Sequence, residues 1–265
     1  LIQINNVMVT LKIQLIGTWT LIKKELIRFW RVAFQTVAAP VITGILYLVI
    51  FSHVLQDRLE VYEGVTYTSF LIPGLIMMSL LQNAFANSSS SLIQSKVMGN
   101  IVFILLSPLS YIQLFIAFIV GAIFRGLFVG LVIYLLALIY VDLPIEHPWM
   151  VFCFAIFGGG LLGAFGIIAG IWAERFDQMA AFGNFVIMPL SFLSGVFYSI
   201  HSLPLAWQKV SQLNPFFYMI DGFRFGFFGQ SDVSPYISLA VVFLFFIALS
   251  FAAIQMLKSG YKLRN

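Results

Sequence analysis

Trp149 to Trp172 reads WMVFCFAIFGGGLLGAFGIIAGIW, a run without one charged residue. A helix needs about 20 consecutive apolar residues to cross the hydrocarbon layer of a bilayer, and this segment supplies them. Its terminal tryptophans are rings of the kind that settle at membrane–water interfaces. The rest of the chain agrees. Hydrophobic residues fill 61% of the 265 positions, and charged residues only 9%, whereas a soluble domain carries about 25% charged residues. Aromatics at 17%, including 29 Phe, suit a surface that faces lipid.

Working outward, the same reading gives five more runs: Phe34–Val54, Phe70–Leu92, Leu109–Tyr140, Met179–Ile200 and Pro235–Leu257. The expected fold is therefore an all-α integral membrane protein with six transmembrane helices, residues 34–257 forming the membrane domain. The run Leu109–Tyr140 is long enough to be tilted, broken or continued outside the bilayer. Tyr140 and Trp149 bracket a short polar loop.

Residues 1–33 are of another kind. Val7, Leu11, Leu15, Trp19, Ile22, Leu26 and Trp30 recur every three or four residues on one helical face. Lys12, Lys23, Lys24, Arg28 and Arg31 lie on the other. An apolar stripe backed by cations describes a helix lying in the membrane interface; a soluble helix packed on a partner is the alternative.

Orientation follows from the cations. With the N-terminus inside, the inner side holds Lys12, Lys23, Lys24, Arg28, Arg31, Lys96, Arg175, Lys258, Lys262 and Arg264, and the outer side Arg58, Lys209 and Arg224. This positive-inside bias places both termini in the cytoplasm, with residues 258–265 a basic cytoplasmic tail. Asp57, Glu60, Glu63, Asp142, Glu146, Asp221 and Asp232 fall outside. The net charge of +4 thus reflects topology rather than a nucleic-acid surface. The chain begins at Leu1 rather than Met, which fits a trimmed N-terminus, and no signal peptide precedes the first span.

Two connections are more than turns. Ser95–Pro108, on the inner side, is expected to form a short helix stopped by Pro108. Residues 201–231, on the outer side, carry paired helix-start signals, Ser202 then Pro204 and Asn214 then Pro215. Phe216–Phe228 is too apolar for an exposed loop and too short to cross, so it reads as a re-entrant or interfacial helix pair.

Several chemistries find no foothold. There is no G-x-x-x-x-G-K-[ST] phosphate loop, no H-E-x-x-H and no G-x-S-x-G. Cys153 is the only cysteine, which excludes an intrachain disulfide, and His53, His147 and His201 are scattered. No catalytic, cofactor or metal residue is expected.

Small residues recur as Ala122, Gly126 and Gly130 in one span and Gly159, Gly163, Gly166 and Gly170 in the next. Such rows let backbones approach closely in lipid, either as fixed packing or as a sliding surface. Arg125 is costly near mid-bilayer, roughly 2.5–3.5 kcal/mol on lenient scales. No acid occurs at the centre of another span, so Arg125 must find carbonyls, Asn or Ser, water or lipid headgroups. Its role is a structural anchor, a transport-path residue or a snorkelling cation. Ser79, Asn83 and Asn87 recur every four residues and face another helix or a wet cavity. Asp221 and Arg224, three apart, are placed to pair along one helix face.

The chain resembles the type-2 ABC exporter permeases, which include drug, nodulation-factor and polysaccharide export permeases. Leu213-Asn214-Pro215-Phe216-Phe217-Tyr218-Met219-Ile220-Asp221-Gly222-Phe223-Arg224-Phe225-Gly226 is similar to the family's outer signature before its last span. Phe70-Leu71-Ile72-Pro73-Gly74-Leu75 is similar to its entry into span two, and Arg125-Gly126-Leu127-Phe128-Val129-Gly130 to span three of its YadH-like inner-membrane branch. The resemblance implies an elbow helix over 7–31, an ATPase-coupling helix over 95–108 and an outer re-entrant hairpin over 201–231. Within the coupling loop, Val97, Ile101, Ile104 and Leu105 recur at helical spacing and form the expected docking face. One departure is that Gly99-Asn100-Ile101-Val102-Phe103-Ile104 is apolar where family members usually carry an acid.

The implied function is the permease subunit of an ATP-driven exporter in a bacterial inner membrane. It would work as a homodimer with two copies of a separate ATPase, which holds ATP and Mg, and move a drug, lipid or lipid-linked glycan outward among membrane lipids. The rival readings are an ion-coupled secondary transporter, against which stand the missing mid-span acids and repeats, and a non-transport scaffold or enzyme.

Overall fold

The computed structural model describes the backbone of residues 2–55, 60–62 and 64–263, and the side chains of residues 14–47, 49–50, 62 and 64–263. The side chains of Val7, Leu11, Lys12, His53, Asp57, Arg58, Glu60, Glu63 and Arg264 lie outside the described residues.

The molecule is helical almost throughout. Helices α1 (Ile2–Arg31) and α2 (Ala33–Leu55) come first, then a small hairpin, β1 (Glu60–Tyr62) and β2 (Val65–Thr66). There follow α3 (Tyr67–Val97), α4 (Ile101–Leu106), α5 (Tyr111–Ala137), α6 (Pro148–Trp172), α7 (Phe176–Phe182), α8 (Met188–Phe192), α9 (Leu205–Gln212), α10 (Pro215–Phe228) and α11 (Pro235–Ser259).

Among the described residues four helices, α3, α5, α6 and α11, are each long and apolar enough to cross a membrane. Segments Gln14–Arg31 and Ala33–Tyr47 meet at 61° and would add a fifth span if taken as one. The expected run Met179–Ile200 is helical only as far as Phe192 and passes through a π turn at Gly183–Ile187. There the Met188 N–H reaches back five residues to Gly183 O. Pro189, which has no N–H to give, follows at once.

Local signals set the ends. Thr66 caps α3 through Ser69 N–H, and Ser110 with Gln113 closes a capping box on α5. Pro148 and Pro235 open α6 and α11. Gly229, at φ 64°, ends α10 in a left-handed turn that a Cβ would strain.

Helix α3 is the axle. At 31 residues it is about 46 Å long, exceeding the hydrocarbon thickness, so its ends project or it tilts. Its most apolar window is 83% buried, against 17% for α11. Lipid tails are as apolar as leucine, so packing rather than the hydrophobic effect holds spans together. Packing is where the small residues act. A Cβ on Gly126 would lie 2.9 Å from Leu80 O, on Gly163 2.9 Å from Ala122 Cβ, on Gly166 2.6 Å from Phe85 O and on Gly170 2.8 Å from Leu92 Cβ. Both glycine rows therefore serve contacts inside the chain, α5 and α6 closing on α3 and on each other. Gly222 and Gly226 do the same for α10, against Phe154 and Val151 of α6.

Candidate functional site

The polar stripe of α3 divides between two neighbours. Asn83 Oδ1 accepts hydrogen bonds from Arg125 Nε at 3.2 Å and Nη2 at 3.1 Å, while Asn83 Nδ2 donates to Ser79 O at 3.0 Å. Arg125 is buried, so the amide supplies the contact that an apolar span otherwise denies it. Ser79 and Asn83 also line a cleft of about 310 Å³ between α2 and α3, with Thr43, Tyr47 and Gln82.

Asn87, one turn on, faces α1 instead. Arg28 Nη2 donates to Asn87 O at 2.8 Å and to Asn87 Oδ1 at 3.0 Å, and Arg28 Nη1 to Ser90 Oγ at 3.1 Å. Glu25 completes the clamp: its carboxylate accepts Arg28 Nε at 3.2 Å and Ser91 Oγ at 2.7 Å, and Lys24 lies 3.2 Å away. Glu25 is fully buried, where a carboxylate persists only when paired and hydrogen-bonded. Gly121 makes room, since a Cβ there would sit 2.9 Å from Glu25 Cβ.

The short helix expected within Ser95–Pro108 is α4, Ile101–Leu106. Val97 belongs to the last turn of α3, and Gly99, at φ 72°, breaks the frame before α4. Ile101 is buried in a cluster that includes Leu92, Phe115, Phe118 and Leu257, and Ile104 and Leu105 are half-buried against that cluster. The residues that face out are Val97, Met98, Val102, Phe103 and Leu106, with Phe103 74% and Leu106 77% exposed. Of the expected docking set, Val97 alone is on the exposed face. Nearby, Lys96 Nζ donates to Ile171 O at 2.7 Å and Ala173 O at 2.6 Å. It thus places a cation on the carbonyl end of α6, where the helix dipole favours one.

At the opposite end of the bundle, Asn214 caps α10 through Phe216 N–H at 3.0 Å and also donates to Leu190 O at 2.7 Å. An amide can do both; an ionised Asp, which has no donor, could not. Pro215 takes the first helical position. Asp221 and Arg224 make no ion pair with each other. Arg224 is buried, donates to Phe70 O at 3.3 Å and Gly195 O at 2.9 Å, and lies 3.7 Å over the Phe70 ring. Asp221 accepts the N–H groups of Asp232 at 2.8 Å and Val233 at 3.1 Å, latching the turn before α11. Asp232 in turn accepts Ser199 Oγ at 2.7 Å, Ile200 N–H at 2.8 Å and Tyr62 OH at 3.0 Å. Burial pushes the Asp221 carboxyl up to about 6, against the two N–H bonds and Arg224, which pull it down.

Glu25, Lys96 and Asp232 were not singled out by sequence reasoning. A lone acid among the elbow's cations and the Ser88–Ser91 run were the available signals for the first.

Helices long and apolar enough to cross a membrane, with polar contacts inside the bundle, define an all-α integral membrane protein. The chain belongs to the ABC-2 type transporter family, which it matches over residues 17–228. It is 37% identical over 243 residues to the Inner membrane transport permease YadH of Escherichia coli (strain K12), covering 91% of this chain and 94% of that one. The figures are the same for YadH of Shigella flexneri. It is 27% identical over 158 residues to the Probable multidrug ABC transporter permease YbhR of Escherichia coli (strain K12), covering 58% of this chain and 42% of that one. This chain is thus a multi-pass, non-catalytic inner-membrane subunit of an ABC transporter, and ATP hydrolysis belongs to a separate partner.

Proposed function

We propose that the chain is the permease of an exporter, working as a homodimer with two ATPase subunits that carry ATP and Mg. In this reading α2, α3, α5, α6, the α7–α8 run and α11 are the six spans, and both termini are cytoplasmic. Helix α1 is the elbow in the inner interface, residues 201–231 are the outer hairpin, and α4 meets the ATPase. The substrate is a hydrophobic or amphipathic molecule such as a drug, lipid or lipid-linked glycan.

The observation that carries this reading is the apolar surface of Val102, Phe103 and Leu106. It lies on the side that the positive-inside count makes cytoplasmic, where such a face calls for a protein groove. ATP binding would draw the ATPases together, and α4, anchored in the apolar cluster through Ile101, would pass the movement to the spans. The Asn83–Arg125 contact and the adjoining cleft are the place where a path through the bundle finds polar lining.

Inside-out vesicles containing the permease and its ATPase test the direction. ATP should drive an amphipathic dye into the vesicle lumen. Uptake that follows an imposed ion gradient and ignores ATP would instead make the chain a secondary transporter.

A further inference from the structure

We propose that the cleft between α1 and α4 binds one anionic phospholipid, with Lys23 and Arg31 on its phosphate and an acyl chain in the adjoining apolar groove. This rests on the reading of α1 as an interfacial helix and adds a ligand to it.

Two open clefts meet here. One, of about 920 Å³, is lined by Lys23, Lys24, Arg28 and Arg31 on the α1 side and by Phe103 and Ile104 of α4. The other, of about 580 Å³, is walled by Ile16, Leu21 and Leu109, and shares Thr20, Lys24, Phe103 and Ile104 with the first. A basic compartment opening directly into an apolar one matches the two halves of an anionic amphiphile.

The charge is uncompensated. Glu25 is the nearest acid, but it is fully buried and held by Arg28, Lys24 and Ser91. Among the described residues no acid lines either cleft, and Lys23 and Arg31 have no hydrogen bond or ion pair. Lys23 and Arg31 stand two turns apart on α1, about 12 Å along its axis, and line one cleft; an unpaired guanidinium and ammonium reaching in from its two ends are a phosphate's natural partners. Anionic lipid is the source at hand, because the inner leaflet attracts basic segments at its surface. A free phosphate would fill the basic compartment and leave the apolar groove without an occupant.

The purified permease, mixed with equal amounts of phosphatidylglycerol and phosphatidylethanolamine, is read by native mass spectrometry. We expect selective retention of phosphatidylglycerol. Lys23→Gln with Arg31→Gln should lower it by roughly tenfold or more, the scale of losing two surface cations, without changing phosphatidylethanolamine. The charge-conserving pair Lys23→Arg with Arg31→Lys should keep it, which separates lost charge from a damaged fold. Glycerol phosphate, which has no acyl chain, should fail to displace the lipid. Equal retention of both lipids, an unaffected Gln variant, or displacement by glycerol phosphate would each overturn the proposal. A spin label at Leu15→Cys, on the exposed apolar face of α1, reports the underlying reading separately. If it is embedded in the bilayer while phosphatidylglycerol is not retained, only the lipid site fails; if it is in water, the interfacial helix fails.

Discussion

Asn83 and Arg125 face each other inside the bundle, and one amide oxygen receives two guanidinium hydrogens at 3.2 and 3.1 Å. No acid takes part. An ion pair would have neutralised the arginine; the amide orients it and leaves its charge in place. A fixed positive charge beside a cleft lined by Ser79, Gln82 and Asn83 is a different device from a structural salt bridge.

The first prediction concerns that pair. Asn83→Leu leaves a buried guanidinium without its acceptor, which costs about 1–3 kcal/mol and more for a charged group. Arg125→Leu removes the costly cation itself and makes the span more apolar, so insertion should be no harder. We expect the double variant to melt higher in detergent than Asn83→Leu alone, and Arg125→Leu to insert normally but transport poorly. Additive shifts in melting temperature would mean that the two side chains act independently.

A second prediction follows from the glycine row of α6. A Cβ on Gly166 would sit 2.6 Å from Phe85 O and 3.1 Å from Ser88 Cβ, and a backbone oxygen cannot step aside as a side chain can. Gly166→Ala should destabilise by about 1–3 kcal/mol, as overpacking does. At Gly183 nothing lies within 4 Å, so Gly183→Ala should be neutral or slightly stabilising. The ranking of the two melting temperatures is the readout, and the reverse order would contradict the packing described above.

What could be read from sequence was local. The apolar runs gave α2, α3, α5, α6 and α11, though Met179–Ile200 is broken and ends at Phe192, and the Asn-Pro pair gave the start of α10, because both signals lie within a few residues of what they determine. Arg125 announced a need for an uncharged partner, and the stripe containing Asn83 was visible one helix away. The residues expected to form the docking face do not share one face, for a definite reason. Val97 and Ile101 are four apart, but Gly99 turns the chain between them, so the spacing defines no common face. Glu25 escaped because an acid three residues before Arg28 looks like an ordinary surface pair. Its burial is decided by Ser91 and Gly121, far along the chain.

A third prediction is pH-dependent. The Asp221 carboxyl, outside the spanning helices, is raised by burial from 3.8 to about 6. Between those values the folded protein holds a proton that the unfolded chain has released. Stability must therefore fall as pH rises through that window and level off above it. Asp221→Asn cannot titrate, keeps one acceptor oxygen for the α11 turn, and leaves Arg224, Asp232 and Tyr62 unchanged. The melting temperature of the wild type minus that of the variant should decline from pH 3.8 to about 6. A difference that is flat or rises across this range would count against a raised Asp221.

The last prediction separates the two faces of α4. Ile101 is 7% exposed, in the cluster that includes Leu92, Phe115 and Phe118, whereas Phe103 is 74% exposed. Ile101→Glu puts a charge into an apolar cluster without a partner, which should cost several kcal/mol within the permease itself. Phe103→Glu changes a surface position, where substitutions usually stay within about 0.5 kcal/mol, so the isolated permease should insert and melt as the wild type does. The difference appears when the ATPase is present. If α4 docks through its outward face, the introduced carboxylate would have to lose its water to enter an apolar groove, and the ATPase should no longer co-purify. Leu106→Glu should behave in the same way, being 77% exposed on the same side. Ile101→Glu should lose thermal stability first, with ATPase binding falling only in proportion to unfolded protein. Should both Phe103→Glu and Leu106→Glu retain the ATPase and its stimulation, α4 is not the contact, and Ala173–Gln178 at the foot of α6 becomes the surface to probe.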